Sequence, residues 1–146
     1  MRILLDTEVW LWALASPERF GRHATTLLEE LRHPLFLSAA SLWEIAIKYS
    51  LGKLELPGEP SEFVPARLVE MRIDTLPIAG GHALGVADLP PHHGDSFDRL
   101  LVAQAQHERM ALLTADPQLL LYDVETIWAA RDPAPRVRRR PSRRRR

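Results

Sequence analysis

The chain has 146 residues, 46% of them hydrophobic, which suits the core of one ordinary domain. It has no cysteine, so a disulfide framework, a zinc–thiolate site and a cysteine nucleophile are excluded. Zero net charge conceals an acidic body, with eighteen acids against ten Lys and Arg over residues 1–130, and a basic end, with nine Arg and one Asp over 131–146.

The opening "MRILLDTEVW" turns polar after three apolar residues, unlike a signal peptide, and no apolar run approaches the length of a membrane span. A cytoplasmic protein with no membrane association is expected. "ILL" at 3–5 predicts a short buried strand ending at Asp6, and "EVWLWALA" a helix stopped by Pro17. Ala24, Leu27, Leu28 and Leu31 recur at helical spacing and predict a helix over 18–32. "PLFLSA" at 34–39 predicts a strand and "SLWEIAIKYSLGKL" a helix with Gly52 near its end. Pro57, Pro60 and Pro65 are expected in a surface connection between helices, with helical pattern over 62–72. "TLPI" at 75–78 predicts a brief strand and 81–87 a short helix. A loop over 88–96 leads into a helix over 97–109, a strand "ALLTAD" ending near Thr114, and a last strand "VETIW" at 124–128. Residues 131–146 are too poor in apolar side chains to build a core and are expected to be disordered alone, leaving one domain over 1–130. Strands alternating with helices imply an α/β layer structure with a mainly parallel sheet.

In such sheets ligands bind outside the carboxyl ends of the strands. Asp6 and Asp116 fall at or just past two predicted strand ends. Glu44 and Asp98 are expected in the first turns of helices that start at that same edge. Each acid has a local reading as a helix cap: Asp6 and Asp116 before their turns, Ser41 with Glu44 as an S-x-x-E capping box, Asp95 and Asp98 at the start of a helix. The four acids together argue otherwise. Like charges about 4 Å apart repel by roughly 4 kcal/mol at an effective dielectric near 20, so the cluster must take up protons or bind a cation. Hard oxygen donors suit Mg²⁺ or Mn²⁺, and such a site serves hydrolysis of phosphate esters.

The segments "LLDTEVWLW" (4–12), "LSAASLWEIAIKYSLGKL" (37–54), "HHGDSFDRLLVAQA" (92–105) and "LLTADPQLLLYDVETIW" (112–128) occur in the order found in PIN-domain ribonucleases, and the chain resembles toxins of the VapC type. The resemblance implies a PIN-like three-layer sandwich of helices around a parallel sheet of four or five strands. It also implies a pocket of Asp6, Glu44, Asp98 and Asp116 holding Mg²⁺ or Mn²⁺, and an RNA endonuclease that hydrolyses phosphodiester bonds with metal-activated water. Its implied partners are RNA, a second copy of the chain, and a VapB-type antitoxin. Asp95 matches an acid of the family's "DPFDR" stretch, but Ser96 replaces the usual Pro, so Asp95 is read as a cap or a supporting residue.

Thr7 and Thr114 are read either as hydrogen-bond partners of the acids or as ordinary strand-end polar residues. Arg99 is read as a phosphate or carboxylate partner, or as an exposed helix charge. His92 and His93 lack helical i, i+4 spacing and are not expected to bind metal. Trp10, Trp12 and Trp43 are read mainly as core or as a protein–protein surface rather than base-stacking groups. Three rival functions stay open: a PIN nuclease of RNA processing or decay, a non-catalytic nucleic-acid binding module, and a phosphatase with an aspartyl nucleophile.

Overall fold

The computed structural model describes residues 1–136. Its strands are β1 (Ile3–Leu5), β2 (Leu35–Ser38), β3 (Ile73–Leu76), β4 (Ala111–Thr114) and β5 (Thr126–Trp128). They form one sheet in the order β3-β2-β1-β4-β5, with every pairing parallel. The helices are α1 (Thr7–Ala15), α2 (Arg22–Glu30), α3 (Ala39–Ser50), α4 (Pro60–Glu70), α5 (Gly80–Gly85) and α6 (Ser96–Glu108). Side chains alternate across a strand, and β1 divides accordingly. Ile3 and Leu5 join the core under α1, α2, α3 and α4, through Trp10, Leu27, Ile45 and Leu68. Leu4 joins a second core under α6, with Leu101, Val102 and Tyr122. The result is the expected three-layer α/β sandwich. Central strands buried on both faces explain why "ILL" and "ALLT" are continuous apolar runs.

Several boundaries differ from the sequence reading. Pro17–Arg19 forms a 3₁₀ turn, and α2 starts only at Arg22. The reason is tertiary: Phe20 is buried and pairs antiparallel with Ala130. At Gly21 an added Cβ would sit 3.0 Å from the Ala130 carbonyl oxygen. Pro60 is the first residue of α4 and Pro65 lies inside it, so the expected proline-rich connection shrinks to the chain around Pro57. At the first helical position a missing N–H costs nothing. β3 runs over 73–76 because Ile73 and Leu76 are its buried residues, and Pro77, without an N–H, follows. A 3₁₀ segment at Pro117–Leu121 follows β4.

The Arg131 N–H donates to the Arg19 carbonyl (2.9 Å), and Trp128 Nε1 donates to the Asp132 carbonyl (2.7 Å). The start of the basic end is thus fastened to the body. The disorder expected over 131–146 falls, from residue 137 onward, outside the described residues. Among the described residues no helix is long and apolar enough to cross a membrane.

Candidate active site

β1 and β4 are adjacent and in register, Leu5 beside Leu113, so the residues just past them meet. Asp6 occupies the N-cap position of α1, yet its side chain makes no cap bond. Its Oδ2 accepts the Thr114 hydroxyl instead (2.8 Å), and the same hydroxyl accepts the Asp116 N–H (3.0 Å). Of the two readings given for Thr114, the structure shows the carboxylate partner. Thr7 donates its hydroxyl to Ser41 Oγ (2.7 Å) rather than to an acid.

The local cap readings separate cleanly. Ser38 caps α3 by accepting the Ala40 N–H (3.0 Å). Glu44 is therefore in the second turn, not the first, and the proposed Ser41–Glu44 box does not exist. With the capping duty met by Ser38, Glu44 is buried and pairs with Lys48 (3.3 Å). Asp95 does cap α6, its Oδ1 accepting the Asp98 N–H (3.0 Å). Asp116 divides its oxygens. Oδ1 accepts the Gln118 N–H (2.9 Å), capping the 3₁₀ segment, while Oδ2 lies 2.8 Å from His93 Nε2.

Asp6, Glu44, Asp98 and Asp116 line one pocket of about 440 Å³, together with Glu8, Asp95, Thr7, Lys48 and Lys53. The sheet thus brings together acids separated by up to 110 positions in sequence. Their charges bear on one another. Burial, reinforced by the carboxylates of Asp6, Asp95, Glu44 and Asp116, pushes Asp98 up to about 8 from 3.8. Burial likewise raises Asp6 to about 6, against the lowering effect of the Thr114 hydrogen bond and with Asp116 adding to the rise.

His93 is the participant that sequence reasoning missed. Its Nε2 lies 2.8 Å from Asp116 and 3.1 Å from Asp98. Its Nδ1 accepts the Asp95 N–H (3.0 Å), which leaves the ring proton on Nε2, facing the acids. His93 therefore acts as a hydrogen-bond donor between two carboxylates, and in this tautomer Nε2 has no lone pair for a metal. Only a loop closing back on the Tyr122 hydroxyl, which accepts the His93 N–H (2.9 Å), places it there; no local spacing signals that. Arg99 meets neither of its expected readings. Its guanidinium donates to the carbonyls of Val86, Leu89 and Pro90 and to the Tyr122 hydroxyl, and so holds the loop before α6. Trp10 is fully buried, whereas Trp43 is 60% exposed and edge-on to Phe97.

The donor set fits a hard divalent cation. The acids are oxygen donors, and a carboxylate oxygen of Asp98 and one of Asp116 lie within 4.8 Å of each other. Two of the acids are disfavoured as anions by their surroundings, which is the condition a bound cation relieves.

The acidic pocket lies at the carboxyl edge of a small parallel sheet, where α/β domains of this class bind their ligands. The PIN domain family model matches residues 3–125, and the chain belongs to that family. Ribonuclease VapC16 of Mycobacterium tuberculosis is 44% identical over 57 residues, 39% of each protein. The matched stretches span two fifths or less of the curated relatives' own lengths. Among solved structures, VapBC2 from Rickettsia felis bound to a promoter DNA fragment shares the fold at a TM-score of 0.68 and 14% identity, over 88% of this chain and 99% of that one. FitAcB from Neisseria gonorrhoeae aligns with a TM-score of 0.59 and 21% identity, over 85% and 95%.

Proposed function

We propose that the chain is a Mg²⁺- or Mn²⁺-dependent RNA endonuclease acting in the cytoplasm as the toxin of a toxin–antitoxin pair. The observation that carries this reading is the convergence of Asp6, Glu44, Asp98 and Asp116, from four separate segments, on one pocket of a PIN-domain sheet. A relative named as a ribonuclease and solved neighbours named as VapBC and FitAcB support it. The proposed partners are RNA, a second copy of the chain and a VapB-type antitoxin that covers the pocket.

Asp6, Glu44, Asp98 and Asp116 would hold the cation. It supplies a Lewis acid for the phosphoryl oxygens and lowers the pKa of water. The chain's own contribution is to keep these acids fixed. Thr114 orients Asp6, the Asp95 cap fixes the start of α6 beneath Asp98, and the cap to Gln118 orients Asp116. Water is the nucleophile, so no side chain forms a covalent intermediate, which sets this reading apart from an aspartyl phosphatase.

The test uses purified protein, total RNA and Mn²⁺. Wild type is expected to cut RNA, and Asp6→Asn is expected to lose cutting while remaining folded. Mn²⁺ should raise the melting midpoint of wild type, by a free energy of about 2.7 kcal/mol at a hundredfold excess over Kd, and leave that of Asp6→Asn unchanged. Metal-dependent cleavage by Asp6→Asn, or an equal Mn²⁺ shift in it, would refute the assignment.

A further inference from the structure

Among the described residues the pocket has six carboxylates along it and two cations, Lys48 and Lys53. Both come from one wall, the end of α3 and the turn that follows it. We propose that these two lysines form a cationic lip that grips the phosphates of an RNA strand, so that the strand enters the pocket over the C-terminal half of α3. The proposal rests on the nuclease reading and adds the substrate's path to it.

The sequence builds the lip in two steps. Lys48 lies one helical turn after Glu44 and pairs with it at 3.3 Å, so both side chains face the pocket. Lys53 would not share that face if the helix continued. Five residues at 3.6 per turn carry it about 140° around the axis. Instead α3 stops at Ser50, and Gly52 takes φ +70°, the left-handed conformation glycine adopts at least cost. The Gly52 N–H bonds to the Tyr49 carbonyl (3.0 Å) and the Lys53 N–H to the Lys48 carbonyl (2.9 Å). That reversal folds Lys53 and Leu54 back into the pocket wall.

Both ammonium groups are available. Lys53 is exposed and makes no ion pair among the described residues. The Lys48 side chain is 48% exposed, so its ammonium reaches solvent even while it pairs with the buried Glu44. Glu44 is also a candidate ligand of the divalent cation, so Lys48 competes with that cation for the same carboxylate. Among the described residues no other cation lines the pocket, and Arg99 is occupied by carbonyls. A polyanion meeting six carboxylates requires a positive wall, and these two lysines supply one among the described residues.

The competition gives the proposal a two-sided signature. The experiment compares full-length wild type, Lys48→Gln, Lys53→Gln, the double variant and Lys48→Arg. The RNA probe is a labelled 20-nucleotide single strand of mixed sequence in Ca²⁺, checked intact on a gel afterwards. The basic end contributes equally to every protein, so differences report the lysines. The double variant is expected to bind at least tenfold more weakly at low salt. Its plot of log K against log salt should be shallower by about 1.4, at about 0.7 for each phosphate no longer neutralised. Lys48→Arg should keep the wild-type slope. Mn²⁺, titrated separately without RNA, should bind Lys48→Gln at least twofold more tightly, because its competitor at Glu44 is gone.

An unchanged RNA affinity and slope in the double variant overturns the lip. Weaker Mn²⁺ binding in Lys48→Gln also overturns it, because Lys48 would then merely organise Glu44. Wild type that never cuts RNA, yet binds it with the lysine-dependent slope, leaves the lip standing and removes the nuclease reading. Wild type that cuts RNA, with a slope indifferent to both lysines, does the reverse.

Discussion

Asp98→Asn should make the metal-free protein more stable, and by an amount that depends on pH in a calculable way. The Asp98 carboxyl titrates at about 8 in the fold against an ordinary 3.8. Between those values the folded chain keeps a proton that the unfolded chain releases. The stabilisation is thus fully present below about pH 4 and is lost as pH rises toward and through 8. The amide in Asp98→Asn mimics the neutral acid and carries no such dependence. At pH 7 the variant's advantage is on the order of 4 kcal/mol, and at pH 4 it falls below about 1 kcal/mol. For a domain of this size that is a shift in melting midpoint of roughly 10 °C at pH 7. Urea unfolding followed by tryptophan fluorescence in EDTA at pH 4, 5.5 and 7 measures it directly. Added Mn²⁺ should then stabilise wild type and leave the variant behind. An advantage of equal size at pH 4 and pH 7, or a wild type more stable than the variant at pH 7 without metal, would show that the carboxylates do not strain one another.

Thr114→Val removes the donor to Asp6 and the acceptor of the Asp116 N–H in a fully buried position; urea unfolding at pH 7 should show a loss of about 1 to 3 kcal/mol. A loss indistinguishable from zero would mean Asp6 does not depend on that hydroxyl. Truncation after Asp132 keeps the bond from Trp128 Nε1 and removes eight arginines. RNA cleavage sites and turnover at saturating substrate should stay as in the full chain, while RNA binding weakens at low salt with a shallower salt slope. Identical affinity and slope in both proteins would exclude the basic end as an RNA contact.

What could be read in the sequence was what the chain encodes locally or by repetition. Buried parallel strands announce themselves as "ILL" and "ALLT" because both faces are covered. Asp6, Glu44, Asp98 and Asp116 could be placed at one edge because strand ends and helix starts alternate there. Local signals misled where two residues could do the same work. Ser41 matched a capping box, but Ser38 three residues earlier holds the cap, and that moved Glu44 into the second turn. Pro65 reads as part of a surface connection between helices, yet it lies inside α4. The roles of three basic residues in and near the pocket were illegible for a different reason. His93 reaches Asp98 and Asp116 only because Tyr122, twenty-nine residues on, holds its loop. Arg99 follows an acid in a matched motif but is turned onto backbone carbonyls by that same loop. Lys53 depends on the turn at Gly52, which sequence reading placed only as a helix end.

The strand order carries a consequence for synthesis. β1 emerges first from a ribosome, yet it ends in the centre of the sheet, between β2 and β4. β2 can pair with it early, whereas β4 begins only at Ala111. A nascent or stalled chain ending before Asp98 has one whole side of β1 unpaired, lacks Thr114 to orient Asp6, and holds only two of the four acids. Such a fragment presents a bare, entirely apolar strand edge, the kind that recruits other strands. Long-range parallel pairing is also slow to form. An unfinished product of this chain is therefore adhesive, and it lacks half of its acidic pocket until α6 and β4 dock.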